Sequence, residues 1–94
     1  MPPMQIETEL RRVARDRISK GKLPRTVPRR MWGGQGAGRI CALCDEGIKP
    51  AEMELELEQR IDGNLQSFRF HVVCHSLWQI ECARTGSLNG RPKP

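Results

Sequence analysis

Two half-motifs, Cys41-Ala-Leu-Cys44 and His71-Val-Val-Cys74, constrain this chain more than any other feature. A Cys-x2-Cys turn lets two thiolates reach one metal ion from a tight knuckle. A His and a Cys three residues apart in the first turn of a helix project to one face. Three sulfurs and one imidazole nitrogen suit tetrahedral zinc, so the spacing predicts one Zn2+ per chain, held by Cys41, Cys44, His71 and Cys74. The chain needs such a staple. It has 94 residues, 37% hydrophobic and 4% aromatic, too lean for a large core, and domains this small are usually held by metals, disulfides or partners.

Other ligand choices fare worse. Cys82 lies about 12 Å beyond Cys74 if the segment is helical, too far to share one ion, and reads as a small, partly buried hydrophobe. His75 is one turn from His71 and can replace Cys74 only by giving up a softer thiolate. Trp78, one turn after Cys74, is expected to wall the site from water. A redox dithiol normally opens a helix after a strand, whereas glycine-rich chain precedes Cys41 and Pro50 follows the knuckle. Catalytic zinc needs an open coordination position, which four protein ligands leave closed. The chain is therefore expected not to be an enzyme.

Periodicity around the half-motifs predicts a small α+β fold. Ile6, Leu10, Val13 and Ala14 recur at helical spacing, giving an amphipathic helix over 5–21 that stops at Gly21. Residues 22–38, with two prolines and several glycines, read as a basic linker without regular structure. The zinc-binding module spans 39–84. Within it, Met53, Leu55, Leu57 and Ile61 alternate with Glu54, Glu56 and Glu58, as in a half-buried strand with an acidic outer face. Asp62-Gly63-Asn64 is a hairpin turn signal, and Leu65–Phe70 is the return strand. Val73, Leu77 and Ile80 then define the apolar stripe of a helix ending near Gly86. Knuckle, hairpin and helix together describe a treble clef. Residues 1–4 and 85–94 are expected to be disordered.

Charge is unevenly spread. Residues 1–40 carry ten Lys/Arg against three Asp/Glu, whereas 41–82 carry three against eight. The basic arm, with Arg25, Arg29, Arg30, Arg39 and the stacking ring of Trp32, offers a nucleic-acid contact. The acidic module does not, since phosphate binding needs positive charge. The apolar face Ile6, Leu10 and Val13 offers a docking surface for a protein partner, for a second copy or for the chain itself. Of these, a protein partner or self-association is the favoured expectation. The sequence shows no basic and apolar leader and no apolar run of about 20 residues. It is read as cytoplasmic and without a membrane partner, in a compartment where cysteines serve more often as ligands than as disulfides.

The order Cys41-x2-Cys44, a long hairpin, then Phe70-His71-x2-Cys74 with Trp78 behind it resembles the PARP-type zinc finger over about residues 39–82. That resemblance implies a structural zinc site and a role at DNA nicks and ends. The same residues, with Trp32-Gly33-Gly34 ahead of them, also resemble small proteobacterial proteins with a Cys-Ala-Leu-Cys and Phe-His-x2-Cys-x3-Trp core. From that likeness only an expected zinc site carries over. The resulting expectation is a non-catalytic interaction module, regulatory or adaptor in role, with nucleic-acid binding through the arm as the alternative.

Overall fold

A computed structural model describes the backbone of residues 3–28 and 30–89 and the side chains of 6–28 and 30–84. Element order is α1 (Pro3–Ser19), β1 (Met31–Gln35), β2 (Met53–Ile61), β3 (Asn64–His71) and α2 (Val72–Asn89). The chain divides into two units, Pro28–His75 and Met1–Val27 with Ser76–Pro94.

The sheet unit holds three antiparallel strands in the order β1-β2-β3. The hairpin forms where the sequence signalled it: Ile61 pairs Asn64, and Asp62 and Gly63 both have positive φ, 53° and 81°. A two-residue turn of this kind matches the twist of the flanking strands. Leu57 faces Phe68 and Leu55 faces Phe70 across the ladder. Leu57, Phe68 and Phe70 are buried, each worth about 1.5–3 kcal/mol.

Two expectations for this unit need correction. Part of the supposed linker 22–38 is strand β1, paired to β2 from Met31↔Leu57 to Gln35↔Met53. Glycines weaken intrinsic strand preference, but β2 supplies a ready edge, and pairing outweighs propensity. Just past the strand, Gly36 N–H donates to Glu52 O at 2.9 Å. A side chain at Gly36 would collide with the Lys49 carbonyl and lie 2.6 Å from Ile48 O. The acidic face of β2 is not wholly outward either. Glu54 is buried, because Arg69 on β3 lies between it, at 3.5 Å, and Glu56, at 3.1 Å, and a carboxylate tolerates burial when paired.

In the helical unit α1 begins at Pro3, so residues 3 and 4 are helical rather than disordered, while residues 1 and 2 lie outside the described residues. Proline suits a first turn, where its missing N–H has no intrahelical partner. The end of α1 is a Schellman motif, with Gly21 N–H donating to Ile18 O at 3.1 Å and Lys22 N–H to Arg17 O at 2.8 Å. Gly21 takes the left-handed conformation, φ 76°, as this cap requires. Among the described side chains of α1, Ala14 and Ile18 are buried. Ile6 is 45% exposed, and Leu10 and Val13 are half-buried. Leu23 and Pro24 are buried, a second departure from an unstructured linker.

Among the described side chains of α2, Cys74, His75, Leu77, Trp78, Glu81 and Cys82 are buried, while Val73 and Ile80 are exposed. The face is turned by one residue from the expected Val73, Leu77, Ile80 stripe. Two features outweigh aliphatic spacing here: Cys74 belongs to the metal cluster, and Arg11 compensates the charge of buried Glu81. The helix also runs through Gly86 to Asn89. A helical glycine costs about 1 kcal/mol relative to alanine but does not force an end. Residues 85–89 are therefore helical rather than disordered, and 90–94 lie outside the described residues.

Candidate metal centre

Three pieces of chain in the sheet unit build the centre. The knuckle is closed by an Ile40↔Gly47 bridge. Inside it, Cys41 N–H donates to Glu46 O at 2.9 Å and Asp45 N–H to Cys41 O at 3.1 Å. Asp45 sits at φ 66°, a conformation that Asp tolerates better than most residues. The knuckle is tied to the sheet by Ala42 N–H donating to Arg69 O at 2.7 Å. His71 is the last residue of β3, and Cys74 lies in the first turn of α2.

The one ligand atom that each of Cys41, Cys44, His71 and Cys74 offers lies within 4.8 Å of the other three. His71 Nδ1 is 3.4 Å from Cys44 Sγ and 3.9 Å from Cys74 Sγ. A tetrahedron with zinc–sulfur bonds of about 2.3 Å and a zinc–nitrogen bond of about 2.0 Å has edges of about 3.5–3.8 Å. The donor set thus fits a metal ion of this size, and all four donors come from the protein. Cys41 and Cys74 are buried, Cys44 and His71 half-buried.

The electrostatics prepare the cluster for a cation. The Cys41 thiol is lowered to about 4. Its main cause is the Cys74 thiol donating to it; backbone N–H groups add to this, and Leu43 N–H lies 3.4 Å from the sulfur. The proton is held on the neighbours. Cys74 is raised by its hydrogen bond to Cys41 and by burial, and Cys44 by burial and the Cys41 charge. Burial alone would lower His71, but contact with Cys41 and the charge of Glu52 leave it raised.

One contributor escaped the sequence reading. Glu52 Oε1 lies 3.4 Å from His71 Nε2, the ring nitrogen opposite the one facing the sulfurs. No spacing rule signals it, because a turn and not a helical or strand period brings it there. Of the rejected ligands, His75 is outside the cluster and stands edge-on to Phe70, ring centroids 5.8 Å apart. Cys82 is buried in the helical unit, its thiol 3.4 Å from Pro24 O. Trp78 is fully buried and also belongs to that unit, where its indole N–H donates to Pro24 O at 3.0 Å.

The nucleic-acid candidates are only partly gathered. Arg30 and Trp32 are both exposed, with the guanidinium 5.7 Å from the ring centroid. Arg39 is exposed beside the knuckle, Arg25 is exposed in the helical unit, and Arg29 lies outside the described residues. Among the described residues no helix is long and apolar enough to cross a membrane. Comparisons with protein families, curated proteins and solved structures found no match.

Proposed function

We propose that this chain is a non-catalytic zinc-binding interaction module of treble-clef type, a small regulatory or adaptor protein of the cytoplasm. The observation that carries the metal assignment is the convergence of Cys41, Cys44, His71 and Cys74 within 4.8 Å. Zinc is favoured over other divalent ions by three soft thiolates and one imidazole. A closed set of four protein donors leaves no position for a substrate, which supports a structural role. The order knuckle, β2–β3 hairpin, α2 supports the treble-clef assignment and the likeness to PARP-type fingers in architecture. It does not extend to binding DNA ends, for which the net acidic segment 41–82 is poorly suited.

The test is metal content of protein purified without added metal, followed by cobalt substitution. One zinc per chain, and the absorption of a tetrahedral three-sulfur, one-nitrogen cobalt site, are expected. Protein that is folded, metal-free and indifferent to cobalt overturns the assignment.

A second reading, nucleic-acid binding, is favoured by the exposed Arg30–Trp32 pair, a charge beside a stacking ring. Steeply salt-dependent binding to DNA or RNA, lost when Arg25, Arg29 and Arg30 are replaced, supports it. Salt-insensitive binding to a protein or to a second copy, lost on Leu10→Asp, supports the adaptor.

A further inference from the structure

The metal-facing geometry of His71 requires a choice between two ring nitrogens. Nδ1 is turned to Cys44 and Cys74, so to ligate a metal this nitrogen must present a lone pair, which leaves the proton of a neutral ring on Nε2. Glu52 Oε1 stands at 3.4 Å from Nε2. Its carboxylate is not a chance surface neighbour. The same oxygen accepts the Lys49 backbone N–H at 2.9 Å, and Glu52 N–H donates back to Lys49 O at 2.9 Å. The turn Lys49-Pro50-Ala51-Glu52, with proline at its favoured second position, therefore fixes the carboxylate from its own backbone before any metal arrives.

We propose that Glu52 is the positioning residue of the metal centre, an acceptor behind His71 that fixes its tautomer and ring orientation and so sets the affinity for zinc. This rests on the zinc-binding function proposed above. Histidine ligands commonly donate their second N–H to such a carboxylate, and loss of the acceptor typically costs about 10–100-fold in metal affinity. Glu52 keeps 45% of its side-chain surface exposed, and water can replace part of what it does. The effect therefore falls near the lower end, about tenfold.

Glu58, an exposed carboxylate on β2, serves as the control for simple loss of charge. Zinc affinity is measured by competition with a chromogenic chelator for the full chain and for Glu52→Ala, Glu52→Gln and Glu58→Ala. The expected result is a loss of about tenfold for Glu52→Ala and a smaller loss for Glu52→Gln, whose amide oxygen can still accept from Nε2–H. Glu58→Ala should match the unaltered chain. The nitrogen-15 NMR shifts of His71 should show metal on Nδ1 and a proton on Nε2 in the unaltered chain and in Glu52→Gln. Equal losses in Glu52→Ala and Glu58→Ala, or none in either, overturn the proposal while leaving the zinc site standing. An unaltered chain that takes up no zinc overturns the site itself, and Glu52's role with it.

Discussion

The carboxylate of Glu81, with no exposed surface, lies 2.7 Å from Arg11 Nε, across 70 residues of sequence. Arg15 approaches the other oxygen at 3.4 Å, so two guanidinium groups of α1 converge on one buried charge of α2. The partners are unequal, because the side chain of Arg11 is 33% exposed and that of Arg15 45%. Removing Arg11 leaves the buried charge only the more distant Arg15, at 3.4 Å, and Arg84, at 4.0 Å, whereas removing the carboxylate leaves cations that reach water. Arg11→Ala is therefore expected to cost about 1–3 kcal/mol, and Glu81→Leu, of similar size, less. Urea unfolding of the zinc-loaded chain measures both. A larger cost for Glu81→Leu would show that the pair stabilises through attraction rather than by relieving a buried charge.

Gly36 and Gly34 make a matched pair of substitutions on one stretch of chain. A Cβ at Gly36 has no room between the carbonyls of Ile48 and Lys49, while one at Gly34 meets nothing within 4 Å. Gly36→Ala should destabilise the sheet unit by about 1–3 kcal/mol through overpacking. Gly34→Ala should be neutral or stabilising by up to about 1 kcal/mol through lower chain entropy in the unfolded state. Thermal unfolding midpoints of the two variants decide the matter. Equal midpoints would mean that the approach of Gly36 to the 48–49 carbonyls does not hold β1 in place.

The four candidate metal ligands were legible in the sequence because their geometry is local within each half-motif. Cys41 and Cys44 share one turn, His71 and Cys74 share one strand–helix junction, and Asp62-Gly63 announces the hairpin between them. What the sequence hid is non-local. β1 has no alternating pattern, and its identity comes from the edge that β2 offers at Leu57 and Leu55. Arg11 has an acceptable i, i+4 partner in Glu7, and nothing local shows that Glu81 takes it instead. Glu52 reads as one of four acidic residues in a row of surface charge until the turn at Pro50 sets it behind His71. The buried face of α2 is turned by one position because a candidate ligand thiol, Cys74, and a compensated carboxylate, Glu81, take the buried places that aliphatic spacing assigns to their neighbours Val73 and Ile80.

Cys82 should be the inert thiol of the four. Burial raises it to about 11, with the nearby Glu81 carboxylate adding to the shift. At pH 8 only about one molecule in a thousand would then carry the reactive thiolate, far fewer than for a free thiol near 8.5. Because the value is raised, the nucleophile appears only as pH climbs toward 11 or when the chain unfolds. Iodoacetamide at pH 8 should leave Cys82 unmodified in the zinc-loaded protein and label it in denaturant, as read by peptide mass mapping. Rapid labelling of Cys82 in the folded chain would contradict its placement against Pro24 O.

Removal of the metal tests the centre and the fold together. The buried apolar side chains of the sheet unit are few, chiefly Leu43, Ile48, Leu57, Phe68 and Phe70. Structural zinc contributes about 10–16 kcal/mol of apparent binding energy in modules of this size. Without the ion, three sulfurs that otherwise share a divalent cation are left crowded around His71. Chelation at neutral pH is therefore expected to collapse the amide NMR dispersion of residues 31–75 and to remove the strand signal from circular dichroism, with recovery on adding zinc. Protons compete for the same donors, since zinc binds thiolates and a neutral imidazole. Cys44 and Cys74 hold their protons more tightly than free thiols, so zinc must displace them, and its affinity falls as the pH is lowered. A sheet unit that keeps its dispersion after chelation would show that Leu57, Phe68 and Phe70 suffice as a core, and that the Cys41–Cys44–His71–Cys74 cluster serves something other than stability.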